Sequence, residues 1–279
     1  MDISTLKKEA RFAIKEHFGT VIGTMVLFVL ISIMFNLLIG QNVVQNENGS
    51  YMLTVGGFIL SIVMTVCELV LAAGVTNTIV KVSSNEKCGP TEFINHSVKH
   101  IFKILAIYFR IFIKALVVCV ALFILLLLTT ALLMYVFNLT EPVVKIVSTI
   151  LSMLILLALI LVILPYSFSF IILSESPKEK TKDIIKASKA LFKGNAIDYL
   201  IVLLSFIGWF ILYLVAITVI YYFVAIGTLP GIIYNLFQYV PTVFITPYII
   251  ATQYAFFEDA YAVKRTESKK DSKPEEVKE

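Results

Sequence analysis

The basic residues of this chain are confined to four blocks, and long apolar runs without charge separate the blocks. Of the 23 Lys and Arg residues, 22 lie in residues 7–15, 81–114, 178–193 and 264–278, and Lys145 is the exception. Lys and Arg are enriched in the cytoplasmic connections of membrane proteins. We therefore expect a chain that crosses a membrane several times and keeps its basic blocks on one side.

Five stretches of the chain contain no Asp, Glu, Lys or Arg: 18–46, 48–67, 115–140, 146–174 and 199–257. About 20 apolar residues are enough for one helical crossing, so the last stretch has room for two. The alternation of apolar and polar residues that is typical of strands is absent, which favours helices. The charged fraction of 15% is also far below the roughly 25% of soluble globular chains. These features exclude an ordinary soluble domain.

The sequence predicts an all-α, polytopic membrane protein with six transmembrane helices, at about 18–40, 54–80, 112–137, 146–173, 199–225 and 232–258. Residues 1–17 are expected to form a cytoplasmic amphipathic helix, residues 18–260 the six-span membrane domain, and residues 261–279 a disordered, charged cytoplasmic tail. The connections 41–50 and 226–231 lack Lys and Arg, whereas both termini are basic. Both termini are therefore expected in the cytoplasm.

A shorter pattern repeats within this topology. A short basic amphipathic helix precedes each of three helical hairpins, and its apolar positions recur at Ile14, Ile101 and Leu191. This spacing predicts one unit, of cytoplasmic helix, span, outer turn and span, that is used three times. In the third unit four lysines line one helical face and are candidates for binding lipid headgroups: Lys182, Lys186, Lys189 and Lys193. The simpler interpretation, which we prefer, is that these lysines only fix the topology.

Glu68 is the single charged residue within the predicted second span. A carboxylate at membrane depth costs roughly 2.5–3.5 kcal/mol on insertion scales, so it usually has a partner or lines a wet cavity. Arg110 and Lys114, at the start of the third span, are candidate partners. Glu68 is thus a candidate intramembrane proton or cation site. The alternative, which we favour, is a structural ion pair or a position nearer the inner interface.

Three prolines lie within predicted spans: Pro165 in the fourth, and Pro241 and Pro247 in the sixth. Proline removes a helical hydrogen bond and kinks or interrupts the helix. Interrupted helices build substrate sites in many transporters. They also occur as plain kinks whose polar groups are satisfied by neighbouring helices, and this is the preferred interpretation. The three prolines are therefore candidate kinks or hinges.

The sequence contains no nucleotide-binding, nucleophile-elbow or Cys-x-x-Cys motif, so no catalytic residue and no cofactor are predicted. His96 and His100 stand four residues apart, a spacing that zinc sites use, but no third ligand follows nearby, so no metal site is predicted. Small residues that permit close helix packing occur at Gly19 and Gly23, at Gly56-Gly57 and at Ala72-Ala73-Gly74. Trp209 is expected to pack within the helix bundle.

The segment from Ser188 to Trp209 carries a recognisable pattern, with Lys193-Gly194 at a turn and Leu204-Ser205-Phe206-Ile207-Gly208-Trp209 in the following span. It resembles the family of bacterial integral membrane proteins catalogued as domain of unknown function 975. Other short segments also resemble the family, and they occur in the same order along the chain as in the family: Leu6–Arg11, Glu68-Leu69, Pro165–Ser169 and Pro247-Tyr248. The chain departs from the pattern at Leu164-Pro165-Tyr166, which lacks the family's glycine. The resemblance implies a multi-span bacterial membrane protein of unassigned activity, and it supplies no site residues.

The leading functional hypothesis is a non-enzymatic membrane protein with a transport-associated, permease-like or protective (immunity) role. The alternative is a secondary transporter that uses Glu68 and the kinked sixth span, and an intramembrane enzyme is the third. The expected location is a bacterial cytoplasmic membrane. The expected partners are the bilayer and anionic lipid headgroups on its cytoplasmic side, and nucleic acid is not expected. The sequence leaves open whether a membrane-protein partner or a second copy also binds.

Overall fold

The computed structural model describes residues 2–45, 51–135 and 141–271. In these residues the chain forms one short β-hairpin and ten α-helices. The helices are α1 (Ile3–Glu16), α2 (Phe18–Gly40), α3 (Val55–Ser83), α4 (Glu92–Tyr135), α5 (Glu141–Ile163), α6 (Ser169–Glu175), α7 (Thr181–Leu204), α8 (Ile207–Ala225), α9 (Gly231–Phe237) and α10 (Thr246–Asp271). The predicted tail beyond residue 271 and the end of the predicted third span, residues 136–137, lie outside the described residues.

Six segments of the described chain are long and apolar enough to cross a bilayer. They are Phe18–Gly40, Val55–Ser83, Glu92–Leu132, Pro142–Glu175, Thr181–Ala225 and Gly231–Ala262. The prediction of an all-α fold with six membrane-spanning segments is confirmed, and the chain is a multi-pass membrane protein. The arrangement in three hairpins, each preceded by a basic cytoplasmic helix, stays a prediction.

The third and fifth segments begin earlier than the predicted spans. The basic residues before each of these spans belong to the same helix as the span, in α4 and in α7. Each helix contains one residue with non-helical backbone angles, His100 (φ −115°, ψ 17°) in α4 and Asn195 (φ −131°, ψ 23°) in α7. In both cases the basic segment and the span that follows it are therefore continuous apart from a kink.

Three of the predicted spans are interrupted. A 3₁₀ turn, Leu164–Tyr166, separates α5 from α6, and Pro165 lies in that turn. Residues 238–240 and one turn of π-helix, Pro241–Ile245, separate α9 from α10. Proline explains both interruptions, because it lacks the N–H that continues the helical ladder. The third interruption, at residues 205–206 between α7 and α8, contains no proline.

The connection between α2 and α3 begins and ends in a two-stranded antiparallel sheet. Strands β1 (Val43–Gln45) and β2 (Tyr51–Leu53) pair with Val43 opposite Leu53 and Gln45 opposite Tyr51. Thr54 follows β2 and caps α3, since its side-chain oxygen accepts a hydrogen bond of 3.0 Å from the N–H of Gly57. The sheet thus leads directly into the N-terminus of the second span.

The chain divides into two compact units. The first comprises the described parts of residues 1–101, 170–177 and 195–279. In it α1 packs on α10 and α3, and α2 packs on α3. Its core contains Ala10, Met25, Val75, Ile79, Phe93 and Ala251. The helix α1 and parts of four of the membrane-spanning segments, in α2, α3, α4 and α10, therefore share a common core.

The second unit comprises the described parts of residues 102–169 and 178–194. Ser188, whose side chain is fully buried, donates a 2.8 Å hydrogen bond from its hydroxyl to the carbonyl oxygen of Pro165. The ammonium group of Lys189 lies 4.8 Å from the centre of the Tyr166 ring. These two contacts hold the first part of α7 against the 3₁₀ turn, and a cation near an aromatic face contributes roughly 0.5–1 kcal/mol at exposed sites.

The predicted disordered tail differs from the structure in its first part, because α10 continues to Asp271. Residues 261–271 are therefore helical rather than disordered. The physical reason is that a helix already nucleated in the buried part of α10 extends at little cost. Ala, Lys, Arg and Glu, which make up much of this part, are good helix formers.

Candidate functional site

The N-terminal helix α1 is anchored at its N-terminal end and along one face. Asp2 caps it, accepting hydrogen bonds from the Thr5 hydroxyl at 2.7 Å and from the N–H of Ser4 at 3.0 Å. These hydrogen bonds, with that of Thr5 the larger influence, lower the pKa of the Asp2 carboxyl. The side chains of Leu6 and Ala10, on one face of α1, are buried. The position of α1 is thus fixed by a cap and by core packing.

Lys7 connects α1 to the interruption between α7 and α8. Its ammonium group donates a 2.9 Å hydrogen bond to the carbonyl oxygen of Ser205 and lies 4.5 Å from the centre of the Phe206 ring. Burial lowers the pKa of the Lys7 ammonium group. A carbonyl that the broken helix leaves without a helical partner is satisfied in this way by a side chain 198 residues away in sequence.

The connection between α3 and α4 is held against the N-terminal part of α2. His17 and Asn85 are joined by a 3.0 Å hydrogen bond, and the Thr24 hydroxyl donates to the carbonyl oxygen of Pro90 at 3.2 Å. Lys81 and Glu92 form an ion pair of 2.7 Å across the base of this connection. Both side chains are partly exposed, so the pair contributes no more than about 1 kcal/mol. Burial also raises the pKa of the Cys88 thiol, which lies in the same connection.

Tyr254 on α10 lies between two carboxylates. Its hydroxyl oxygen is 3.0 Å from Oε1 of Glu175, at the end of α6, and 3.0 Å from Oε1 of Glu258, one turn further along α10. A phenol has one proton, so the hydroxyl donates to one carboxylate at a time. The tyrosine ring is 3% exposed, whereas both glutamates are exposed. The Tyr254 hydroxyl therefore connects the buried tyrosine ring to two negatively charged carboxylates at the surface, those of Glu175 and Glu258.

A cavity of about 290 Å³ opens beside Tyr254, between α1, α3 and α10. Three of its lining residues are carboxylates, Glu9, Glu16 and Glu258, and we call it the acidic cavity. The hydroxyl oxygen of Ser83, another lining residue, is buried and has no hydrogen-bond partner among the residues that the structure describes. All charged residues that line this cavity are therefore negative.

A second cavity, of about 450 Å³, lies on another side of α1. Its walls are apolar and aromatic: Ile14, Phe18, Trp209, Phe244, Ile245 and Tyr248. Arg11 and Lys15, one turn apart on α1, are its charged lining residues. We call this cavity the basic groove. Both of its cations are exposed, and Trp209 and Phe244 are 50% and 59% exposed.

A family comparison decides the classification of the chain. The model of the family described as "Protein of unknown function (DUF975)" matches residues 1–264. The chain belongs to the DUF975 family. This confirms the resemblance that the motif around Ser188 and Trp209 indicates. Comparison with curated proteins and comparison with solved structures gave no match. The family description names no activity, so membership alone assigns no chemistry to the cavities.

The structure places the intramembrane candidates of this DUF975 protein as follows. Glu68 lies near the middle of α3 and is half-buried. Its neighbour Leu69 is 40% exposed. Arg110 and Lys114 lie on α4 and are exposed. Glu68 belongs to the first compact unit and the two cations belong to the second. The ion pair and the proton or cation site therefore stay predictions.

The remaining candidates lie at helix breaks and on the start of α7. Pro165 and Pro241 lie in the interruptions described above, and Pro247 is buried in the first turn of α10. Lys182, Lys186 and Lys193 are exposed on α7, while Lys189 lies against Tyr166. Their binding of lipid headgroups and the hinge role of the prolines stay predictions. His96 and His100 lie with their ring centres 4.7 Å apart.

Neither cavity of this DUF975 protein is predicted from its sequence. Trp209 lines the basic groove with half of its surface exposed, in contrast to its expected packing within the bundle. The reason is that residues 205–206 break the helix just before it and turn the tryptophan towards α1. A sequence signal existed for the groove, since Arg11 and Lys15 stand four residues apart on one helical face. The walls come from distant segments, and nothing in the sequence pairs them with α1.

Proposed function

We propose that this DUF975 protein is a non-enzymatic component of a bacterial cytoplasmic membrane with a transport-associated, permease-like or protective role. One observation carries the proposal. The most apolar windows of Glu92–Leu132 and Pro142–Glu175 contain no buried residue. Apolar surface that the chain itself leaves uncovered is covered by lipid or by another membrane protein. Two spans with free surfaces of this kind suit a component that works through contacts within the membrane.

The proposed sidedness places both termini and all four basic blocks in the cytoplasm. Its support is the distribution of Lys and Arg, of which 22 of 23 lie in the four blocks. In bacterial membrane proteins this distribution sets the orientation. The β-hairpin of β1 and β2 then lies on the outer side.

Cysteine labelling tests this topology. In a variant in which Cys67, Cys88 and Cys119 are replaced by serine, we introduce either Gln45→Cys or Lys270→Cys. We expect a membrane-impermeant maleimide to label position 45 in intact cells and position 270 only after permeabilisation. Complete labelling of both positions in lysed cells is the control for reactivity. Labelling of position 270 in intact cells would overturn the proposed orientation.

A secondary transporter is the alternative, and the interrupted sixth segment favours it. Between α9 and α10 the regular helix gives way to residues 238–240 and the π-helical turn Pro241–Ile245, which packs on α2 and α8. Interrupted helices and π-bulges often lie at functional sites in membrane proteins. Glu68 would supply the titratable group of such a carrier.

Proton flux in proteoliposomes separates the two functions. Vesicles containing a trapped pH-sensitive dye and the full chain are given a potassium diffusion potential. Under the leading proposal the chain alone carries no proton flux above that of protein-free vesicles. Under the transporter alternative flux is present and Glu68→Gln abolishes it, whereas the exposed control Glu86→Gln leaves it unchanged. Flux that is equal in wild type and Glu68→Gln would remove Glu68 from any carrier mechanism.

An intramembrane enzyme is the third candidate. It would need a polar cavity lined by at least two titratable groups. The acidic cavity has Glu9, Glu16 and Glu258, but these side chains are exposed. Water reaches carboxylates in such positions, which gives them little of the desolvation that tunes catalytic groups. We therefore rank this function last.

A further inference from the structure

The N-terminal helix presents opposite charges to its two cavities. Glu9 and Glu16 line the acidic cavity, and Arg11 and Lys15 line the basic groove. The two cations are four residues apart and share one face of α1. Ile14 on α1 and Phe18 at the start of α2 line the same groove. The acidic and basic residues of α1 that line the cavities thus lie on different faces of the helix. The charged residues that line the basic groove are both positive.

The basic groove combines this charge with a long apolar wall. Trp209 from α8, Phe244 and Ile245 from the π-helical turn, and Tyr248 from α10 form the side opposite α1. Its volume of about 450 Å³ lies within the roughly 300–1,000 Å³ of ligand-binding cavities. Among the residues that the structure describes, neither Arg11 nor Lys15 forms an ion pair. Both cations are therefore available to a ligand that enters the groove.

We propose that the basic groove binds one anionic phospholipid. The phosphate lies at Arg11 and Lys15, and an acyl chain lies along Trp209, Phe244 and Ile245. The guanidinium of Arg11 offers paired donors that match phosphate geometry, and Lys15 adds a second positive charge one turn away. The aromatic wall suits the boundary between headgroups and acyl chains, where Trp and Tyr are enriched. A free anion would leave the apolar wall uncovered, and a zwitterionic lipid would bring its own positive ammonium group close to the two cations.

This inference needs the protein to lie in a bilayer, which its six apolar segments require, and it does not depend on the proposed transport-associated role. It also differs from the headgroup binding predicted for Lys182, Lys186, Lys189 and Lys193. Those lysines lie on α7, where Lys189 contacts the Tyr166 ring. A failure of the lipid site and a failure of the proposed function are therefore distinguishable.

Trp209 is the single tryptophan of the chain, and this makes the occupancy of the groove directly measurable. Bromine atoms on an acyl chain quench tryptophan fluorescence on contact. The full chain is reconstituted in vesicles of phosphatidylcholine that contain increasing fractions of either brominated phosphatidylglycerol or brominated phosphatidylcholine. We expect the anionic lipid to quench Trp209 at a lower mole fraction. Equal quenching curves for the two lipids would overturn the proposal.

Charge variants assign the preference to the two cations. One Lys or Arg near an anionic surface contributes about fivefold in affinity. We therefore expect Arg11→Gln and Lys15→Gln each to reduce the preference for phosphatidylglycerol about fivefold, and the double variant to abolish it. Lys178→Gln with Lys180→Gln, at two exposed residues before α7, removes the same charge and is expected to leave the preference unchanged. A double variant at Arg11 and Lys15 that keeps the wild-type preference would contradict the site.

Two further arms separate the lipid from other ligands. Ile245→Phe fills part of the groove and is expected to weaken quenching by both lipids, because the acyl chain is excluded. Inorganic phosphate at millimolar concentration, added at constant ionic strength, is expected to leave the quenching by phosphatidylglycerol unchanged. Competition between inorganic phosphate and the lipid would show a site for free phosphate, and it would overturn the assignment of the groove to a phospholipid. Lys15→Arg keeps the charge and is expected to retain the preference, which confirms that the loss in Lys15→Gln is electrostatic.

Discussion

Gly74→Ala is expected to lower the free energy of unfolding by about 1–3 kcal/mol, at the upper end of that range. A Cβ atom at this position would overlap the carbonyl oxygen of Phe93 and the hydroxyl oxygen of Ser97. The first is a backbone atom of α4, so it cannot move without shifting the helix. The second donates a 2.9 Å hydrogen bond to the carbonyl oxygen of Val70 and would lose it. Overpacking of a well-packed core costs roughly 1–3 kcal/mol.

The stability of Gly74→Ala is measured by denaturant titration in mixed micelles. Gly19→Ala is the matched control, since a Cβ atom there meets no atom of the described residues within 4 Å. Combining Gly74→Ala with Ser97→Gly removes the contact with the hydroxyl but leaves the contact with the Phe93 carbonyl. We therefore expect the combined variant to remain unstable. Equal stability of Gly74→Ala and Gly19→Ala would show that α3 and α4 do not pack as described.

The two glycines show what the sequence predicts about packing and what it leaves out. Both stand in small-residue patches, which permit helices to approach each other closely. At Gly74 a helix does approach closely, because the backbone of α4 lies against this glycine. At Gly19 no described residue comes within 4 Å of the Cβ position. A local pattern shows where an approach is allowed. Which neighbour makes the approach depends on the path of the rest of the chain.

The spans themselves were the easiest part to predict. The burial of apolar side chains in a bilayer depends on a local property, the hydropathy of about 20 successive residues. The predicted first span, 18–40, coincides with α2, Phe18–Gly40. The interruptions at Pro165 and Pro241 also have a local cause, since proline cannot continue a helical ladder.

The parts that escaped prediction depend on contacts between distant residues. The break at Ser205 has no proline, and its carbonyl is satisfied by Lys7. Tyr254 and Glu175 are separated by 79 residues. The basic groove joins residues of α1 to Trp209 and Phe244 in the same way. Contacts of this kind follow from how the helices pack, and one sequence alone does not contain the pairing.

The contact of Tyr254 with Glu175 provides the second stability prediction. The hydroxyl is the donor that connects α10 to the end of α6, and its ring is almost fully buried. A hydrogen bond to a charged group contributes about 1.5–3 kcal/mol. Because both Glu175 and Glu258 are exposed, solvent reduces this value.

We expect Tyr254→Phe to lower the free energy of unfolding by about 1–2 kcal/mol. The ring and its packing are kept, so the loss comes from the hydroxyl and from the two carboxylates that then face each other without a donor. Tyr261→Phe, at a tyrosine that is 53% exposed, is the control and is expected to be neutral. Glu175→Gln in the Tyr254→Phe background removes one charge and adds an amide donor, so it should restore part of the stability. A loss in Tyr254→Phe that Glu175→Gln leaves unchanged would show that the hydroxyl acts through the packing of α10 and not through the carboxylates.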